Sequence, residues 1–309
     1  MGRIENVEAL ESGGALPGVE DWSKLVSSPE QAVFGGNFLI YGPPGHGKTT
    51  VAATLSEFFP AERLEMTREQ LAGEKIIELE DMFWVDYDPA ATAALAQFRV
   101  KVRSLNMKQV FAQLGPTAPL VWARRCDEIL DTVLPSKLTG IVDDTLSSYD
   151  HKMTEYWASN APKSKAGNKD GVAMWVEVRM THIRRKNHMD SIAGHRGAQL
   201  ITLAHAAVRM EKDPKEMGAA QANARREAEG QEGDIVPMIT GKAEGVFKAD
   251  AEVWVLMRES VGRGPEKRFL YRKLDGWETK SRLSGFLDEK EPANLRGMLN
   301  KVRKGMGLI

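Results

Sequence analysis

An apolar run, Asn37-Phe38-Leu39-Ile40-Tyr41, leads without interruption into Gly42-Pro43-Pro44-Gly45-His46-Gly47-Lys48-Thr49, and Thr50 to Leu55 continues with a helix-like apolar face. The spacing is G-x-x-x-x-G-K-T between a strand signal and a helix signal, which is the pattern of a phosphate-binding loop. Gly42, Gly45 and Gly47 leave room for successive backbone N–H groups to turn inward around a β-phosphate at the positive end of the following helix. Lys48 supplies a mobile cation for the β- and γ-phosphates, and Thr49 supplies the hydroxyl that such loops place on Mg²⁺. Pro43, Pro44, His46 and Thr50 complete the loop. These residues imply a chain that binds a nucleoside triphosphate, with ATP and Mg²⁺ as the expected ligands.

Bulk properties narrow the partners less. The 309 residues suffice for one large α/β domain with appendages. Formal net charge is -1, from 42 Lys plus Arg against 43 Asp plus Glu, so any binding to nucleic acid has to come from local patches. Cys126 is the single cysteine, which excludes a disulfide framework and fits a reducing cytoplasm. Met1 to Glu20 mixes charge with Gly and Pro, and nowhere do eighteen apolar residues follow one another, so neither a secretory leader nor a membrane span is expected.

Downstream, Asp81 to Asp88 reads as a buried strand ending in carboxylates and stopped by Pro89, before a helical run from Ala90 to Val102. An amphipathic helix over Leu120 to Leu134 is closed by Pro135, and Leu138-Thr139-Gly140-Ile141-Val142-Asp143-Asp144 follows as a strand ending in two acids, resembling a Walker B segment. An acid there can face Thr49 across a Mg²⁺ ion; Asp143 is the first choice and Asp144 the alternative. Asp150 to Gly171 is a polar tract with Lys163, Lys165 and Lys169 and with Tyr156 and Trp157 near its start, read as a mobile loop. Val172 to Met189 reads as a helix broken by Gly194 and Gly197, Gln199 to His205 as a buried strand, and Arg209 to Asp234 as a second mobile excursion. Strands over Ala251 to Met257 and Arg268 to Lys273, a turn at Asp275-Gly276 and a terminal helix within Pro292 to Arg303 complete the order.

That order of parts resembles the RecA-type ATPase core, over roughly residues 34 to 285. More narrowly it resembles the bacteriophage RecA-like single-strand annealing ATPases, which carry an apolar strand immediately before a GPPGxGKT loop. The resemblance implies an α/β fold with a mainly parallel sheet flanked by helices, late β-hairpins and a C-terminal helix. It divides the chain into an N-terminal extension (1–33), the core (34–285) and a helical tail (286–309). It places Asp88 where the carboxylate that orients the attacking water stands, with Asp86 and Asp144 as alternatives. His205 falls where a polar residue senses the γ-phosphate, and the two mobile tracts fall on the DNA-contacting loops. Lys163, Lys165 and Lys169 then neutralise phosphates of a single strand, while Tyr156 or Trp157 stacks on bases. Lys280 and Arg282 match cations that reach the γ-phosphate of a neighbouring protomer.

The function so implied is a Mg²⁺- and ATP-dependent, single-stranded-DNA-binding ATPase of homologous recombination, cytoplasmic, assembled as a filament or ring, with a single-strand-binding protein as a further partner. A replicative helicase motor or helicase loader on a related core is the competing reading. A small-molecule nucleotide kinase is a third, disfavoured because no Arg-rich lid is visible.

Overall fold

The structure, a computed structural model, describes residues 37–88, 90–162, 170–209, 234–239, 243–260, 266–283 and 285–309. Its strands are β1 (Asn37–Gly42), β2 (Ile77–Asp86), β3 (Val100–Asn106), β4 (Gly140–Asp144), β5 (Gln199–Arg209), β6 (Asp234–Pro237), β7 (Ala251–Ser260), β8 (Glu266–Tyr271) and β9 (Lys290–Pro292). They form one sheet in the order β3-β2-β4-β5-β1-β7-β8-β9, with β6 paired to β5. From β3 to β7 every pairing is parallel; β8, β9 and β6 join antiparallel. The expected α/β architecture with a mainly parallel sheet and late antiparallel strands is what forms.

Parallel strands are covered on both faces and read as near-continuous apolar runs. Alternate residues of β1 therefore serve two cores. Phe38 and Ile40 pack with Val51, Ala52 and Ala53 of α1 (Lys48–Ala53), with Leu95 of α3 (Ala90–Ala96; the short α2 spans Arg68–Ala72) and, at the far end of the chain, with Leu295, Met298, Leu299 and Val302. Leu39 and Tyr41 face the opposite core, built from Met107, Trp122, Cys126, Tyr149, Val178, Met189 and Phe247. The helices on that side are α4 (Met107–Leu114), α5 (Ala118–Asp131), α6 (Leu146–Asn160), α7 (Gly171–Arg196) and α8 (Ala243–Asp250). The tail helix α9 (Leu295–Gly305) caps its first turn with Asn294 and seats its apolar stripe on the α1 side, where the Leu295 N–H donates to Thr54 Oγ1 at 2.9 Å.

Three expectations are corrected here. The run from Ala90 to Val102 is not one helix: α3 stops at Ala96, and the β-branched Val100 and Val102 enter the edge strand β3 beside β2. The tract from Asp150 is not a loop at its start, because α6 runs on to Asn160 with Tyr149, Asp150 and Met153 buried. Gly194 does not break α7, which continues to Arg196 and ends at Gly197 in the left-handed conformation (φ 65°) typical of a helix C-terminus. Among the described residues no helix is long and apolar enough to cross a membrane.

Candidate nucleotide-binding site

Register gathers the chemically active residues on one edge. Asp86, the last residue of β2, pairs with Asp144 at the end of β4, and Gly42, the last of β1, pairs with His205 of β5. Ligands of open α/β sheets sit outside the carboxyl ends of the strands, and that is the edge these residues share.

The phosphate loop bridges β1 and α1. At Gly42 an added Cβ would lie 2.4 Å from the Leu256 carbonyl oxygen, so the requirement is close approach to β7 rather than unusual backbone angles. Gly47 is different: its φ is +91°, and a Cβ there would lie 2.6 Å from Arg268 Nε. Lys48 folds back over the loop, its Nζ donating to the carbonyls of Gly42 at 2.9 Å and Pro43 at 3.0 Å. Burial brings this ammonium down to about 8, although the Asp144 charge opposes the shift. A phosphate group is the counter-charge that such a buried lysine lacks.

Beside it, Thr49 Oγ1 donates to Asp144 Oδ2 at 2.7 Å. Burial pushes the Asp144 carboxyl up to about 6, with the Thr49 bond and the Lys48 charge pulling the other way. Asp86 is pushed up to about 7 by burial and then by the charge of Asp144, and its Oδ1 is buried without a hydrogen-bond partner. One hydroxyl and two desolvated carboxylates thus stand together at the strand ends, with the Lys48 charge offsetting only part of the effect of burial on Asp144. That donor set fits a hard divalent cation such as Mg²⁺, which takes one or two protein oxygens and completes its shell with phosphate and water.

Strand alternation separates the two acids of β4. Val142 packs in the core on the α1 side and Ile141 in the opposite one. Asp144 therefore shares the face of Val142 and meets Thr49, whereas Asp143 points away and pairs with Arg185 of α7. Both side chains of that pair are at most 2% exposed. The Arg185 guanidinium lies 4.3 Å from the Tyr149 ring centroid and 5.4 Å from that of Tyr87, and its Nε donates to the Tyr87 hydroxyl at 3.1 Å. Trp122 Nε1 donates to the same hydroxyl at 2.6 Å. Burial works against the charge on Arg185, but Asp143, through its charge and its hydrogen bond, together with Tyr87 and Tyr149 more than offsets it, so the guanidinium is raised. The choice of Asp143 as the metal-side acid is corrected by this geometry: its carboxylate is spent on Arg185, and Asp144 is the acid at Thr49.

His205 Nδ1 lies 3.5 Å from Lys48 Nζ. Burial and then the Lys48 charge lower the imidazole, which keeps it neutral near pH 7. Its backbone N–H donates to Ser147 Oγ at 2.9 Å, and that hydroxyl donates to the Met238 carbonyl at 2.9 Å, so the start of α6 holds β5 and the end of β6 together. Asp88 is exposed just past β2. With His205 it lines a cleft of about 580 Å³ whose walls include Met107, Phe111 and Met238.

This arrangement of loop, hydroxyl and carboxylates has a counterpart among known families: the profile of the AAA domain family matches residues 35–283. The chain belongs to the AAA domain family. It is a P-loop NTPase of AAA type, and ATP is the nucleotide such a domain binds. No curated protein gives a significant match to its sequence.

Within this AAA domain the remaining expected site residues are dispersed. Lys280 forms an isolated bridge with Val253 rather than lying on a strand, and its Nζ donates to the carbonyls of Lys248 and Ala249 at 2.8 and 2.5 Å, capping the C-terminus of α8. Arg282 Nε lies 3.6 Å from Glu252, near the amino end of β7 and away from the phosphate loop. Lys163, Lys165 and Lys169 lie outside the described residues, as does nearly all of the 209–234 tract. Trp157, read as a base-stacking residue, instead joins α6 to α7 through a 3.3 Å bond from Nε1 to Thr181 Oγ1, with Tyr156 edge-on to it at 5.3 Å. Cys126 is buried, and burial pushes its thiol up to about 12, which leaves it unreactive. Sequence reasoning missed Arg185, Tyr87, Ser147 and Arg268. Of these only Arg185 carried any signal, as one member of an Arg184-Arg185-Lys186 cluster within a long helix.

Proposed function

We propose that this AAA domain hydrolyses ATP with Mg²⁺ while bound to single-stranded DNA, assembles on the strand as a filament or ring, and promotes annealing or pairing in phage-type homologous recombination. The observation that carries the reading is the continuity of β5. This strand passes His205, beside Lys48, then leaves the parallel sheet as a hairpin with β6, pairing Ala206 with Pro237 through Arg209 with Asp234. Residues 210–233, outside the described residues, join the two strands of that hairpin in sequence. A change in what Lys48 and His205 contact is thereby one strand away from the segment that the RecA resemblance assigns to DNA. Lys163, Lys165 and Lys169, outside the described residues, follow α6 in sequence, and Ser147 at the start of that helix accepts from the His205 N–H.

In this reading the loop from Gly42 to Thr49 and the Lys48 ammonium hold the β- and γ-phosphates. Thr49 and Asp144 hold Mg²⁺, which when bound offsets charge on the transferring phosphoryl group. Asp88 or Asp86 orients water, the former exposed at the cleft and the latter buried beside Asp144. His205, neutral, donates or accepts one hydrogen bond at the terminal phosphate. Lys280 and Arg282 are retained as cations for a neighbouring protomer only if they leave their contacts with α8 and Glu252. The test is ATP hydrolysis by the purified chain with and without an unstructured oligonucleotide. Stimulation by single strands, absent with duplex, is expected; turnover indifferent to DNA at any length would overturn the DNA reading and leave an AAA-type NTPase with some other partner.

A further inference from the structure

Two arginines stand directly opposite one another on the β7–β8 hairpin. Arg258 pairs in register with Arg268, and like charges so placed repel. Both follow the alternation that puts Trp254, Leu256 and Leu270 in the core on the α1 side, so both project from the face that carries the phosphate loop. Among the described residues neither guanidinium has a hydrogen-bond or ion-pair partner. Arg268 is the closer of the two: its Nε is buried and unpaired, it packs against Gly47 with no space for a Cβ between them, and its guanidinium carbon lies 5.7 Å from the Phe98 ring centroid. Burial, and then Arg258, lower its pKa, the expected mark of a cation held without compensation. Neighbouring cations do have partners: Lys267 of β8 lies 3.3 Å from Glu65 across the way, and Lys290 of the adjoining β9 pairs with Glu259. Among the described residues of β7 and β8, the cations without a partner are the pair facing the loop.

We infer that Arg268 is a phosphate-binding residue of this chain's own nucleotide site, clamping the diphosphate group of the nucleotide from the β8 side while Lys48 holds it from within the loop, with Arg258 adding charge at longer range. The inference deepens the nucleotide-site reading and rests on it. It assigns the second cation of the site to the same protomer. Lys280 and Arg282, both engaged elsewhere in the chain, are not needed for it. A planar guanidinium forks well onto phosphate oxygens, and a desolvated charge-assisted bond of this kind is worth roughly 10- to 100-fold in affinity.

The test uses the full chain, with ADP as ligand so that hydrolysis does not intervene, and with adenosine and a short oligonucleotide as comparison probes in titration calorimetry. Arg268→Gln should lose at least about tenfold in ADP affinity, the lower end expected of a charge-assisted bond to phosphate, and Arg268→Lys less. Adenosine and oligonucleotide binding should not follow that order, because the first lacks the diphosphate and the second presents its phosphates elsewhere. Melting temperature without ligand should hold or rise in Arg268→Gln, since an uncompensated charge has been removed, whereas Arg268→Lys keeps the charge and should not gain in this way. ADP affinity within twofold of the parent in both variants overturns the inference while leaving the nucleotide site intact. Equal losses for adenosine overturn it as well, by moving the effect to the base end, and an oligonucleotide that alone loses affinity would assign the guanidinium to DNA phosphate. A parent chain that binds no ADP removes the nucleotide-site reading and this inference together. Failure of Arg268→Gln to fold, with Arg268→Lys folded and unaltered in ADP affinity, would make the arginine structural.

Discussion

The two acids of β4 should respond to the same substitution in opposite ways. Asp143→Asn keeps the shape of the side chain but leaves Arg185, 1% exposed, without its counter-charge between two tyrosine rings. Removing one partner of a buried ion pair costs about 3–5 kcal/mol, because the remaining charge stays desolvated. At about 2 °C per kcal/mol for a chain of this size, the melting temperature should fall by roughly 6–10 °C. Asp144→Asn meets the reverse situation. Its carboxyl is held at about 6 rather than 3.8, so at pH 8 the fold opposes the charged form by roughly 3 kcal/mol at most. An amide escapes that cost and can still accept the Thr49 hydroxyl bond, so the ligand-free protein should melt at the same temperature or higher. Turnover, however, should fall by about 100-fold or more, since a metal clamp is worth several kcal/mol in phosphoryl transfer. The assay is thermal unfolding by circular dichroism without nucleotide, paired with steady-state ATP hydrolysis at 25 °C on the same preparations. An Asp143→Asn chain that melts like the parent yet no longer hydrolyses ATP, beside a fully active Asp144→Asn chain, would refute the assignment and restore Asp143 to the metal.

Lys48→Ala should abolish hydrolysis with little change in ligand-free stability, because the ammonium is desolvated and bonded only to the carbonyls of Gly42 and Pro43; near-parental turnover in a folded variant would remove the nucleotide site. Mg²⁺-nucleotide binding should strengthen as pH rises from 5.5 to 8. Asp86 and Asp144 have folded-state values raised to about 7 and about 6, so the ligand-free fold retains their protons until then, and its stability from these groups, full at low pH, is lost as pH rises through those values. The rise in melting temperature produced by Mg²⁺-ADP, measured at several pH values, should follow this curve, and a pH-independent rise would count against metal binding at these carboxylates. Replacing Lys163, Lys165 and Lys169 together by Ala should flatten the salt dependence of single-stranded-DNA binding, by about 0.7 in slope for each phosphate left without its lysine; fluorescence anisotropy with an unchanged slope would return these lysines to the solvated surface. Lys280→Ala should lower the melting temperature by a few degrees, roughly 1 kcal/mol for removal of a helix C-cap, and an unchanged value would mean that α8 does not depend on it.

Much of the fold was legible because its signals are local. The loop from Gly42 to Thr49, the apolar runs of β1, β4, β5 and β7, and the stripe of Leu295, Met298, Leu299 and Val302 each declare their element within a few residues. The edge strand β3 was lost for a physical reason. It begins at Val100, soon after α3 ends at Ala96, and as an edge strand it is half solvated, so its Lys101, Arg103 and Ser104 resemble a helix surface. The start of the polar tract after Asp150 was misplaced because α6 buries only one narrow face, leaving Lys152, Glu155 and Ser159 to give the segment a polar appearance.

The site was legible in kind but not in parity. A strand ending Val142-Asp143-Asp144 states that one acid points to each face, yet the residue pattern does not say which face the phosphate-loop helix will cover; both faces of a central parallel strand are equally apolar. Once α1 packs on Val142, the parity is fixed: Asp144 meets Thr49. Asp143 then needs a partner on the other face, and that partner, Arg185, comes from 42 residues away on α7. No spacing rule reaches so far. The consequence is a division of labour between adjacent residues, in which one carboxylate ties the strand to the helical layer through Arg185 and Tyr87 and the other remains under-compensated at the loop. Tyr87 also follows Asp86 and precedes Asp88, so the bonds that hold its hydroxyl to Arg185 and Trp122 fix the backbone from which both water-orienting candidates project. Asp143, acting through Arg185 and Tyr87, therefore helps to set the position of Asp86 and Asp88, the two carboxylates proposed to orient water.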